Sequence, residues 1–161
     1  MFIIKDYKEY SEIYSSIEIE IIPAKDQYSN FINIDKENEI YYHIYFNTDK
    51  VETKNNYITK NDAVNKIKII IDFKIKSVHG LFRNCKNIEA INFIKFNIRD
   101  INNISGMFSG CSSLKQIIFS NFNTENIITM SFMFQNCVSL EKIDLYNFNT
   151  NKVKDIDYMF E

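Results

Sequence analysis

Apolar positions recur along the second half of the chain in a fixed frame. Met107-Phe108, Cys111, Leu114, Ile117, Phe119, Phe122, Ile127 and Met130 are followed, at the same intervals, by Met133-Phe134, Cys137, Leu140, Ile143, Leu145, Phe148, Val153 and Ile156. Leu81-Phe82 and Cys85 open the unit before, Met159-Phe160 opens another, and the unit length is 26 residues. Gapless agreement at this many positions marks an internal repeat. Within a unit, Leu114-x-x-Ile117-x-Phe119 predicts a strand with Ile117 and Phe119 inward and Gln116 and Ile118 outward. Phe122-Asn123-Thr124 predicts a turn. Ile127, Met130, Phe134 and Cys137 stand at helical steps and predict a short helix.

The first part of the chain is patterned differently. Tyr7, Tyr10, Ile13 and Tyr14 predict an amphipathic helix over residues 5–16. Ile17 to Ile22 alternates strictly as a strand, halted by Pro23. Residues 24–38 are polar and predict a loop. Glu39 to Asn47 is aromatic and β-branched, and Asn47-Thr48-Asp49 predicts a turn into a partner strand around Val51 to Lys54. Val64-x-x-Ile67-x-Ile69, then Ile75, Val78 and Leu81, fits the repeat with a shortened turn. The expected organisation is a β-rich capping region over 1–63 and an α/β repeat solenoid over 64–161. The solenoid would hold a degenerate repeat 64–87, then repeats from 88, 114 and 140, the last truncated. Each 24–26-residue repeat would supply one short parallel strand and one short helix.

The frame Met-Phe-x-x-Cys-x-x-Leu-x-x-Ile-x-Phe/Leu-x-x-Phe-x-Thr, then Ile/Val-x-x-Met/Ile-x-x-Met-Phe, resembles the BspA-type leucine-rich repeat of bacterial, mycoplasmal and protist surface proteins. The resemblance runs from Leu81 to Glu161. Phe96, Phe122 and Phe148 stand where the common leucine-rich repeat carries an asparagine ladder, so an aromatic stack is expected there. The first unit departs with Leu81 for Met and Asn97-Ile98 for Asn-Thr. The resemblance implies a leucine-rich-repeat fold, a cell-surface location, and adhesion or binding of host or matrix proteins.

Composition narrows the function. The chain is 45% hydrophobic and 15% aromatic, enough for a core, and its net charge is −2. Lys and Glu are interspersed without a basic stripe, which excludes a nucleic-acid binder. No apolar run is long enough to span a membrane, and the N-terminus is charged by its fifth residue. By that reading alone the chain is cytoplasmic, against the surface location that the resemblance implies. Cys85, Cys111 and Cys137 share one register and so form a line, whereas zinc needs convergence and disulfides an even count. They are read as small apolar packing groups. His43 and His79 have no catalytic motif around them, and Gly80, Gly106 and Gly110 form no phosphate loop. No catalytic, cofactor or metal residue is therefore assigned, and the expectation is a non-enzymatic protein binder. Its candidate contacts are the outward strand positions Asn92, Ile118 and Asp144, and Ile94, Ser120 and Tyr146. The alternative is an intracellular scaffold whose N-terminal β unit does the binding. An uncapped C-terminal end also predicts self-association.

Overall fold

The computed structural model describes residues 15–72, 75, 77–97 and 101–161. The helix expected over 5–16 lies outside the described residues, apart from Ser15 and Ser16, which begin a strand. Five strands form one mixed sheet: β1 (Ser15–Pro23), β2 (Tyr42–Phe46), β3 (Ile67–Asp72), β4 (Ile88–Phe96) and β5 (Gln116–Ile118), in the order β2-β3-β1-β4-β5. β1 runs antiparallel to both β3 and β4, β2 antiparallel to β3, and β5 parallel to β4. Strict alternation makes β1: Ile17, Ile19 and Ile21 are buried, while Glu18 and Glu20 pair across the other face with Lys68 and Lys66. A six-residue 3-10 helix, Lys36–Tyr41, precedes β2. The turn at Asn47 returns the chain as expected, but the partner segment makes a single bridge, Ile44 to Thr53, rather than a strand.

The expected α/β repeat solenoid is not what forms, and neither is the leucine-rich-repeat architecture. Among the described residues the 3-10 helix is the sole helix, and it lies outside the repeats. Where short helices were expected, the chain makes runs of turns, for two reasons. First, a left-handed residue interrupts the tract every fourth position: Gly80 and Asn84, Gly106 and Gly110, Phe132 and Asn136, then Tyr158. A right-handed helix cannot continue through such a residue. Second, Ser77, Asn103, Thr129 and Asp155 use a side-chain oxygen to accept the amide two residues on, at 3.2, 2.8, 3.5 and 3.0 Å. That local bond competes with helix formation. Nor do the repeats build a continuous parallel sheet. β3, the strand of the degenerate repeat, is separated from β4 by β1, and the repeat from 140 contributes one bridge, Gln116 to Lys142.

The period survives as main-chain bonding between units. In each turn tract alternate amides close their own turn, as Met107 N–H does on Ile104 and Ser109 N–H on Gly106. The others donate 25 residues ahead: Phe82 to Met107, Phe108 to Met133 and Phe134 to Met159, at 2.9, 3.0 and 2.9 Å. Side chains stack at the full 26-residue period. Phe82, Phe108, Phe134 and Phe160 stack with centroids 5.6, 5.6 and 5.4 Å apart. Phe96, Phe122 and Phe148 stack at 3.8 and 5.3 Å, as their register implied.

Residues 24–33 close the N-terminal end of this ladder. Ala24 N–H donates to Asn87 C=O, and Asn33 N–H donates to Leu81 C=O at 2.8 Å. The Asn33 side-chain amide adds bonds to the carbonyls of Gly80 and Arg83 at 3.0 and 2.9 Å. Asn33 thereby does for the first tract what each unit does for the next. Replacing Asn33 with Ala removes both side-chain bonds and is expected to cost about 1–2 kcal/mol. At this chain size that is a melting temperature lower by roughly 2–8 °C in a thermal scan.

Candidate binding face

The outward strand positions do not form one surface. Asn92 pairs laterally with Glu20 of β1 and Ile118 of β5; it is half-buried, and its side-chain carbonyl has no hydrogen-bond partner among the described residues. Ile94 falls at a register shift between β1 and β4 and is half-buried, its carbonyl accepting from the Asn121 side chain. Ile118, Ser120 and Asp144 are exposed and come together. Tyr146 is 92% exposed in a turn whose amide is held by the Asp144 carboxylate at 2.9 Å.

Ile118, Ser120 and Asp144 line a cleft of about 740 Å³ between β5 and the segment 141–148. It exists because pairing between those segments stops at the Gln116–Lys142 bridge. Phe119 and Phe148 give it an apolar lining, while Gln116, Glu141, Lys142 and Asn147 supply polar groups of both charges. Through Phe119, Ser120 and Asn147 it continues into a shallower groove of about 420 Å³ that adds Asn97, Asn121 and Asn123. The asparagines were not picked out from the sequence, although Asn97 and Asn123, and Asn121 and Asn147, stand one repeat apart. Such a lining can hold a ligand by apolar contact and side-chain amide bonds.

The chemically reactive groups lie elsewhere. Cys85 and Cys111 are buried and Cys137 is half-buried; the Cys111 and Cys137 thiols donate to the carbonyls of Phe82 and Phe108, at 2.9 and 3.1 Å. Burial pushes the Cys85 thiol up to about 12, that of Cys137 to about 11, and that of Cys111 upward as well. These are packed thiols, although they sit in turns rather than under helices. His43 lies between two carboxylates, Asp72 at 3.7 Å from Nε2 and Glu52 at 3.0 Å from Nδ1. Asp72 and then Glu52 favour the imidazolium and raise its pKa, against the opposing effect of burial. Its ring is thus a link between β2, β3 and the 49–53 loop. Among the described residues no group of three or more potential ligands could hold a metal ion, and no helix is long and apolar enough to cross a membrane.

Another surface feature, which hydrophobic spacing did not reveal, is a pair of strained aromatics. Phe132 and Tyr158 are left-handed, at φ 57° and 54°, where the earlier units carry Gly80 and Gly106. Their exposed rings stack at 5.2 Å.

The described residues form a mixed sheet prolonged by hydrogen-bonded 26-residue units, with a cleft where strand pairing ends. Residues 76–161 match DUF285, described as a Mycoplasma protein of unknown function, and the chain belongs to that family. The match begins with the first turn tract and leaves β3 outside. No curated protein and no solved structure matches the chain.

Two predictions follow from the buried groups. In a pulse of alkylating reagent near neutral pH, Cys137 is expected to be modified slowly, and Cys85 and Cys111 only after unfolding. Peptide mass spectrometry checks the order, and early labelling of Cys111 would contradict the packing. Because the folded-state pKa of His43 is raised, its stabilising contribution is complete below the unfolded value of about 6.5 and fades as pH rises through the higher folded value. Melting temperature should therefore fall across that window in the wild type and stay flatter in His43→Gln.

Proposed function

We propose that this chain is a non-enzymatic binding protein that takes an extended segment of a partner protein into the cleft between β5 and residues 141–148. The observation that carries the reading is the splayed pairing there. Beyond the Gln116–Lys142 bridge, Ile118 to Ser120 line a cleft instead of pairing with another strand. An extended peptide can add main-chain bonds to such an edge and place alternate side chains against apolar walls. Phe119 and Phe148 offer those walls, and Asp144, Lys142 and Asn147 offer polar selection at the rim. The likeness of the repeat frame to BspA-type surface proteins supports adhesion as the setting, on sequence alone.

Panning a random-peptide phage library on the wild type, with counter-selection on Ser120→Arg, tests the reading. Peptides should be enriched that bind the wild type at least about tenfold more tightly than the variant, a difference of about 1.4 kcal/mol. Their addition should shift amide NMR signals of residues 116–120 and 141–148. Peptides that bind both proteins equally, or shift signals elsewhere, would reject the cleft as the site.

A further inference from the structure

We infer that the shallow groove beside the cleft, between the end of β4 and residues 119–123, holds a neutral saccharide of disaccharide size. This rests on the side chains at the strand ends and not on the reading of the cleft. Both walls belong to units that are bonded on each side. β4 lies between β1 and β5, and Gln116 of β5 pairs with Ala90 before it and bridges to Lys142 after it. Main-chain pairing continues at the groove, where in the cleft it stops. Phe96 N–H donates to Asn121 C=O at 3.0 Å, and Asn123 N–H donates to Phe96 C=O at 3.3 Å. Those bonds close the edge to an added strand, so recognition falls to side chains.

Two of those side chains are pinned by opposite ends. The Asn121 side-chain N–H donates to Ile94 C=O at 2.8 Å, which leaves its Oδ1 as an acceptor. The Asn123 Oδ1 accepts Glu125 N–H at 2.9 Å, which leaves its NH2 as a donor. An acceptor and a donor held two residues apart suit neighbouring hydroxyls, each of which can both donate and accept. Asn97 and Ser120, both exposed, add further groups of the same kind, and the buried Phe119 and Phe122 back them with aromatic carbon. The one charged residue in the lining is Lys95, directly opposite Glu18 of β1. A cationic ligand thus finds no carboxylate in the lining, and a peptide main chain finds no open edge. A pyranose, with hydroxyls around an apolar ring, matches what is left. The volume of about 420 Å³ lies within the range of small-molecule sites.

NMR titration of the isotope-labelled chain with lactose, maltose and diacetylchitobiose, up to millimolar concentrations, tests this. At least one of the three should shift the side-chain NH2 signals of Asn121 and Asn123 together with the backbone amides of residues 95–97 and 119–123. Asn97→Ala and Asn123→Ser should each weaken that binding about fivefold, the loss of one neutral hydrogen bond. Serine keeps an oxygen for the Glu125 amide, and Asn97 is exposed, so the melting temperature of both variants should match the wild type. Neither residue lines the cleft, so peptide binding there should be unchanged in both, which separates a failure of this site from a failure of that one. A panel that moves none of these signals, binding indifferent to both variants, or tighter binding of sialyllactose than of lactose would each overturn the inference.

Discussion

A backbone amide can close its own turn or reach a neighbouring unit, and it cannot do both. The turn tracts divide the work, with odd positions such as Met107 and Ser109 bonding inward and even positions such as Phe108 and Gly110 bonding ahead. Left-handed residues make the division possible by swinging successive amides out of the local turn. Each bond adds only about 1 kcal/mol net, but an unmade bond in a buried tract costs about 1–3 kcal/mol. The stacked units therefore stand or fall together. The same constraint explains why Phe132 and Tyr158 tolerate a conformation that costs roughly 1–2 kcal/mol. The ladder dictates their geometry whatever side chain occupies it, and the stacked rings return part of that cost.

Much of this was legible in the sequence, and the failures are specific. The 26-residue period, the inward residues Ile117 and Phe119, and the phenylalanine column at 96, 122 and 148 all appear in the structure. The helix expectation failed because apolar residues three and four apart also suit successive turns sharing one buried side. Signals against it were present in Gly106, Gly110, Asn84 and Asn136. The oxygen-bearing column at 77, 103, 129 and 155 was harder to see, because it uses Ser, Asn, Thr and Asp for one purpose. The position of β3 was not readable locally. Val64, Ile67 and Ile69 carry the same spacing as Ile88, Ile91 and Phe93, and only long-range pairing shows that β1 comes between them.

The cleft arises from the same arithmetic that builds the sheet. β4 is held on both sides, by β1 and β5, and extends for nine residues; β5 has three; the next unit keeps one bridge. As the strands shorten, the turn tracts continue undiminished, so one side of each unit stays anchored while the other opens. Ile118, Ser120 and Asp144 were foreseen as outward residues, and the opening is what brings them together. Asn92 and Ile94 share their register but lie where the sheet is still closed, and they are accordingly half-buried.

The placement of β1 also sets an order of events. A ribosome makes residues 15–23 before either of their neighbours, yet Ile17 must end beside both Ile71 and Phe96. During synthesis this strand waits with three isoleucines on one side and no sheet to join, the circumstance in which a nascent chain is most exposed to misassociation. Glu18 and Glu20 alternate with those isoleucines, and unpaired carboxylates along a strand discourage premature edge-to-edge contact. The lysines that later neutralise them, Lys66 and Lys68, arrive with β3 itself. The charge that protects the waiting strand is thus cancelled by the partner it waits for.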